Sequence, residues 1–505
     1  MTGAGGRRGD PVAAESREVS AYERVGWLLR QWRLMSPDAD LRKLQPFAEV
    51  LAQHGHRADA SRVSRWESGR LRVPESVLTS YEEILGLPRA GLTALCEGIA
   101  RSWGARPPAR SVAVSDEMLA AAFSAVQGAA VEGVDWFEWA GCLAAADAVP
   151  ESQVDALDAL IHQLVSEASR ANGLALVTRF EALRRLIEVP HLQARTMRAV
   201  GGQVIDPDAQ ATLVPVVLIA DVRAEKAVNT LISLLTQPSA QLQLGATWGL
   251  HRKLSRHEVT PASMAALEAQ LAQIIFDGSN EGALLRISPL LEVLPQPTAD
   301  RLRGLRPQLF PTRPRGVAGS ATNRATLLAT AVRGATARIE AFTGREVDPV
   351  GRAIIEDAYN ATSHDVRHQS ALVLARSPYA AALGEVLVEQ TQPNRCFDGA
   401  PGVLPYLVSK AERDCLITRL GLPGVDLRQT LIALAHVPGG PAPGVGELVD
   451  HADLGVAAAA LFAAGMQQDP ILSVLAKDRS RSPGMRAGAR WWLAQGGRVD
   501  DLRVV

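Results

Sequence analysis

From residue 20 onward, apolar side chains recur at three- and four-residue intervals, the spacing that sets them along one face of a helix. Val25, Leu28, Leu29 and Trp32 make the first such stripe, with Arg24, Arg30 and Arg33 expected outside. Pro46 suits the opening of a short second helix, in which Phe47, Val50 and Leu51 face inward and Gly55 marks the stop. Asp59 is placed to cap a third helix, because its carboxylate can accept from the free N–H groups of a first turn. That helix turns Val63 and Trp66 inward and leaves Ser61, Arg62, Ser64 and Arg65 on its other faces. Gly69 ends it. Pro74 stands where a first helical residue tolerates a missing N–H, and Val77, Tyr81, Ile84 and Leu85 form a fourth stripe that closes at Gly86. Ala90 to Ile99 supplies a fifth helix, so residues 20–100 read as one five-helix domain.

The outward side of the third helix is small, polar and cationic. Such a surface suits a DNA major groove, where Arg reads guanine edges and Ser donates or accepts. The run S-R-V-S-R-W-E-S-G-R, followed by V-P and then Y-E-E-I-L-G-L, resembles the second half of a Cro/C1-type (XRE-like) helix-turn-helix domain, over about residues 21 to 98. The resemblance implies that Ala60, Ser61, Arg62, Ser64 and Arg65 face the groove, and that Trp66 and Glu67 close the recognition helix. It also implies double-stranded DNA as partner and a homodimer reading two half-sites about one helical turn apart. Arg70, just beyond the helix, is a candidate phosphate contact. The sequence departs from the family at DLRKLQPFAEVLAQHGHRADA, which replaces the compact second helix and tight turn. There Arg42 and Lys43 are the phosphate candidates, with a solvated charged turn as the alternative. An ordinary amphipathic helical hairpin is the plain alternative for the whole motif.

Beyond this head, residues 101–115 (RSWGARPPARSVAVS) read as a linker. The rest reads as helical, and even the apolar run Thr212 to Ala220 contains Pro215 and is assigned to helix or loop. A unit from Ala224 reads as two helices with a Gln-Pro-Ser break. Similar second-helix patterns begin at Asp365, Asp426, Asp453 and Gly484, spacings of 61, 27 and 31 residues. A unit of about 30 residues with one unmarked copy resembles HEAT-like helical repeats, in which each hairpin covers its neighbour's apolar face. The Asp and Arg heading two copies are candidates to bond the next repeat's loop; an irregular helical bundle is the rival. A second Pro-, Gly- and Arg-rich stretch, within residues 311–323, divides the body into 116–310 and 324–505 or forms one long surface loop. The fold class expected is therefore all-α: a helix-turn-helix domain followed by a large HEAT-like helical region. Trp136, Phe137, Trp139 and Cys142 are expected in the core of the body's first hairpin. Of the adjacent Trp491 and Trp492, one is expected to face outward.

Composition changes this picture in two respects. The 505 residues carry a net charge of −1, but residues 1–110 hold 17 basic against 13 acidic groups, and the remainder 36 against 41. A mildly basic head on a mildly acidic body suits local phosphate binding. Residues 1–19 are polar and Gly-rich, expected as a disordered leader without the apolar core of a secretory signal. No apolar run is long enough to span a bilayer. Cys96, Cys142, Cys396 and Cys415 lack C-x-x-C spacing and read as reduced thiols of a cytoplasmic protein.

Candidate chemistry is thin. There is no G-x-x-x-x-G-K-[ST], G-x-S-x-G or H-E-x-x-H. His364 and His368 share a helix face across Asp365, but two ligands without a third make a poor metal site, so neither metal nor cofactor is expected. The expectation is a non-enzymatic, sequence-specific DNA-binding transcriptional regulator. Its body would serve dimerisation and the sensing of a small-molecule or protein effector. The alternative is a DNA-tethered interaction scaffold; a base-excision enzyme of the glycosylase kind lacks a visible acid or base.

Overall fold

Helix α1 (Ala21–Leu34) starts where Ser20 and Glu23 cap one another: the Ser20 hydroxyl accepts the Glu23 N–H, and the Glu23 carboxylate accepts the Ser20 N–H. Four further helices complete the head: α2 (Leu44–Gln53), α3 (Ala60–Glu67), α4 (Glu75–Leu85) and α5 (Gly91–Ser102). This computed structural model describes residues 19–106, 114–128, 131–146, 148–149, 153–278, 281–308, 318–361, 363–390, 413–423 and 425–501. The expected leader, up to residue 18, lies outside the described residues, as do 107–113 of the expected 101–115 linker, 309–317 near the second one, and Cys396.

The head is held by close approaches. At Gly26 a Cβ would come within 2.8 Å of the backbone of Trp66 and Glu67, so α1 lies directly on the end of α3. Gly69, at φ +70°, makes the turn out of α3 against the backbone of Tyr22 and Glu23, where a side chain has neither the conformation nor the room. Phe47, Leu51, Val63, Trp66, Val77, Leu78 and Tyr81 fill the space between the helices.

In the body the helices run α6 (Asp116–Val126), α7 (Gly133–Ala145), α8 (Val154–Arg170), α9 (Gly173–Glu188), α10 (Pro190–Ile205), α11 (Leu213–Ile219), α12 (Glu225–Leu234) and α13 (Ala240–Ser255). Then come α14 (Pro261–Asp277), α15 (Glu281–Ile287), α16 (Leu290–Val293), α17 (Gln296–Leu305), α18 (Ala318–Thr343), α19 (Pro349–Asn360), α20 (His364–Ala375) and α21 (Ala380–Gln390). The last are α22 (Arg413–Arg419), α23 (Leu427–His436), α24 (Leu454–Met466), α25 (Ile471–Lys477) and α26 (Pro483–Gln495). The described residues contain no strand, only one isolated bridge between Ala171 and Val499. The architecture is all-α, and no described helix is long and apolar enough to cross a membrane. The run Thr212–Ala220 is helical, with Pro215 inside α11 and buried.

Two apolar cores divide the described residues. One joins the head to α18–α20 and to the C-terminal helices; the other fills α6 to α17. Consequently α1 is covered on two sides, by α3 within the head and by α19 of the body. This corrects the outward placement of Arg24 and Arg33. Arg24 is buried, paired with Asp357 at 2.5 Å and lying 4.3 Å from the Trp103 ring. Arg33 is buried in a bidentate pair with Glu67. A single apolar stripe cannot reveal that a helix has a second covered side.

Trp491 and Trp492 are a second correction. Both are buried, with rings 4.9 Å apart, because α26 packs against α24 as well as α25. Trp136 and Trp139 lie in the core as expected, 5.5 Å apart and edge to face. Asp426 caps its own helix by accepting the Gln429 N–H, and Asp365 reaches across to Arg252 on α13.

Candidate nucleic-acid interface

Helix α2 ends at Gly55, whose φ of +85° turns the chain into a short loop. The loop is pinned to α4 by His56 Nε2, 2.8 Å from the Ser80 hydroxyl. Asp59 then caps α3, its carboxylate accepting the Arg62 N–H at 2.7 Å. The inner face of α3 carries Val63, Trp66 and Glu67, all buried. Ser61, Ser64 and Arg65 are exposed, and Ala60 is half-buried at the first turn. The main seats of α3 are α1 and α2, whereas the body meets the head at α1, α4 and α5. The outer face of α3 therefore looks away from the body.

Beneath it lies a buried triad. Arg33 Nε and Nη2 each donate to Glu67 at 2.7 Å, and the Tyr81 hydroxyl donates to the same carboxylate at 3.2 Å. Burial opposes the Arg33 charge, but the hydrogen bond and attraction of Glu67 outweigh it and raise the Arg33 pKa. Burial and the Glu67 charge push the Tyr81 phenol well above its usual range. The triad ties α1, α3 and α4 together and fixes how α3 is presented.

The expected contact residues do not share one state. Arg65 and Arg70 are exposed, with no hydrogen bond or ion pair on their guanidinium groups among the described residues. Arg62 is folded back: it donates to the Arg57 carbonyl at 2.9 Å and sits 5.8 Å from the Trp66 ring centroid, and its Nε has no partner. Arg42 is occupied by its own loop, donating to the carbonyls of Ser36 and Pro37. Lys43 forms an exposed ion pair with Asp40 at 2.9 Å. Arg57, exposed ahead of the α3 cap, is a cation that periodicity did not single out; its place just N-terminal to Asp59 was the available signal.

The other charged constellation is the seam between head and body. Arg185 on α9 reaches Glu97 on α5 at 2.6 Å and Glu75 on α4 at 3.3 Å, with its guanidinium 3.4 Å from the Phe137 ring centroid. Arg101 on α5 pairs with Glu97, Glu181 and Glu188. Arg184 continues the series to Glu181 at 2.7 Å and Asp221 at 2.9 Å. Arg252 bridges Asp221 at 3.1 Å and Asp365. Burial works against the Asp365 charge, but Arg252 holds its carboxyl far below the usual range. This chain of ion pairs links α4 and α5 to α9, α13 and α20.

His364 stacks on Trp248, with ring centroids 3.4 Å apart. Burial, then the neighbouring His368, pushes its pKa down, and burial brings His368 to about 4. Both rings are half-buried, and their surroundings favour the neutral imidazole. Among the described residues no cluster of three or more His, Cys, Asp or Glu could hold a metal ion. Cys96, Cys142 and Cys415 are free thiols. No protein-family model matches the chain, and comparison with curated proteins finds no similar one.

Proposed function

We propose that the chain is a sequence-specific DNA-binding transcriptional regulator, with α2 and α3 acting as an XRE-like helix-turn-helix. The observation that carries this reading is the outer face of α3. It exposes Ser61, Ser64 and Arg65 on a helix whose inner face is locked by Trp66 and Glu67, and the body's contacts leave it clear. Arg57, Arg70 and Lys43 add exposed cations on the adjoining loops for phosphate contact. The body's succession of contacting helices supports a HEAT-like stack, in which small rotations add along the series. In this reading the body brings two heads together and relays an effector signal.

The geometry separates Arg65 from Arg62. Arg65 is free to read a base edge as it stands, whereas Arg62 must first leave the Arg57 carbonyl. Binding-site selection with the full chain, followed by titration of the selected DNA, tests this. Arg65→Ala should cost about 1–3 kcal/mol and relax preference at one base position. Arg70→Ala should weaken all sequences alike. Unchanged preference in both Arg62→Ala and Arg65→Ala would remove α3 as the recognition helix. The same titration tests assembly: the expectation is a homodimer on a pseudo-palindrome, and a monomer on one asymmetric site contradicts it.

A further inference from the structure

Where α5 ends, a cleft of ≈680 Å³ opens between the head and the body. Gly104, at φ +67°, turns the chain along one rim, and Ile187 supplies an apolar part of the wall. The remaining lining is dominated by charge: Arg101, Arg184, Arg223 and Arg256 against Glu188, Asp221 and Glu258.

Pairing these groups leaves a remainder. Glu188 is taken by Arg101 at 3.1 Å, Glu258 by Lys253 at 2.6 Å, and Asp221 by both Arg184 and Arg252. Every acid in the wall has its own cation. Neither Arg223 nor Arg256 forms an ion pair among the described residues, although Asp221 and Asp365 act on the Arg256 charge from farther off. Arg223 is exposed at the loop that follows α11. Arg256 is half-buried just past α13 and donates one N–H to the Arg101 carbonyl at 2.9 Å. Burial and then the charge of Arg252 push the Arg256 pKa down, against the smaller opposing effect of Asp221 and Asp365. Two guanidiniums thus meet a cleft whose acids are all engaged, within the size range of small-molecule sites.

We propose that this cleft binds a small anion of the phosphate class, a free phosphate or phosphate ester, through Arg223 and Arg256. A guanidinium presents a planar pair of N–H donors that matches two phosphate oxygens, and a dianion supplies the charge that the wall lacks. The ligand would touch the body through Arg223 and, through Arg256, the group that holds the last turn of α5. Binding would therefore add a further tie between head and body beside the Arg256 hydrogen bond and the Arg101 ion pairs to Glu181 and Glu188. The site does not rest on the DNA-binding reading; only an effect on operator affinity would.

The test is calorimetric titration of the full chain with inorganic phosphate at constant ionic strength, with glucose 6-phosphate as the ester arm. The expected result is saturable binding of at least one probe, weakened tenfold or more in Arg223→Gln/Arg256→Gln. Arg479→Gln, an exposed arginine distant in sequence, should bind as the parent does. Arg223→Gln alone changes an exposed loop residue and should weaken binding about threefold, which guards against a folding defect in the double variant. No saturable binding of either probe, or equal binding by the parent and both cleft variants, would overturn the site.

Discussion

The outer face of α3 and the seam between head and body are built from the same side chain with opposite outcomes. On α3, Arg65 stands in solvent with no acid against it. At the seam, Arg185 is 2 % exposed and meets Glu97, Glu75, the Phe137 carbonyl and the Phe137 ring. A guanidinium committed on every side holds structure, and one left without an acid is available to a ligand. The partners decide the role, and the residue type alone does not.

The largest effect should come from breaking the committed set. Arg185→Ala removes the nearer arginine from the buried Glu97 carboxylate, so a loss of about 3–5 kcal/mol is expected in urea unfolding. Arg65→Ala should move the same measurement by no more than about 0.5 kcal/mol. If Arg185→Ala also costs less than about 1 kcal/mol, the seam is open in solution and the contrast fails.

Glu82 sharpens the comparison as a buried carboxyl that forms no ion pair among the described residues and feels only the more distant charge of Arg89. Its carboxylate accepts from the N–H groups of Ala90, Leu92 and Thr93 at the start of α5, yet burial outweighs them and raises its pKa to about 7. The folded state therefore holds this proton more tightly than the unfolded one. The stability it contributes is complete below about pH 4.5 and is lost as pH rises through about 7, on the order of 3 kcal/mol. The stability difference between parent and Glu82→Gln should fall across that window. A flat difference would mean that the three backbone donors prevail.

The smallest effect is expected at Lys43. Its exposed pair with Asp40 should add nothing measurable to the unfolding midpoint. If Lys43 contacts phosphate, Lys43→Ala should reduce the slope of log affinity against log salt by about 1. Loss of stability with an unaltered salt slope would move Lys43 to the structural side.

Much of the head was legible because its signals are local. Asp59 as cap, Val63 and Trp66 inward, Gly69 and Gly86 as stops each depend on neighbours within a few residues. The partners of Arg24 and Arg185 were not legible. Asp357 lies 333 positions from Arg24, and Glu97 lies 88 from Arg185, and no periodicity spans such distances. The second Trp of the 491–492 pair was misjudged for the same reason, since periodicity shows one covered face and α26 has two. The folding back of Arg62 onto the Arg57 carbonyl is a matter of rotamer, which composition and spacing do not carry.

The seating of α1 also has a consequence for how the chain is made. Arg24 pairs with Asp357, Trp32 donates to the Arg376 carbonyl, and Gln31 accepts from Tyr379, the last pair 348 positions apart. At roughly 5–20 residues per second of translation, α1 leaves the ribosome about 20–70 seconds before its seat does. Through that interval Trp27, buried in the finished protein, lacks its Tyr379 neighbour, and Arg24 lacks Asp357. One side of the nascent head thus stays uncovered until α19 and α20 emerge, and a message truncated before them releases a head in that state.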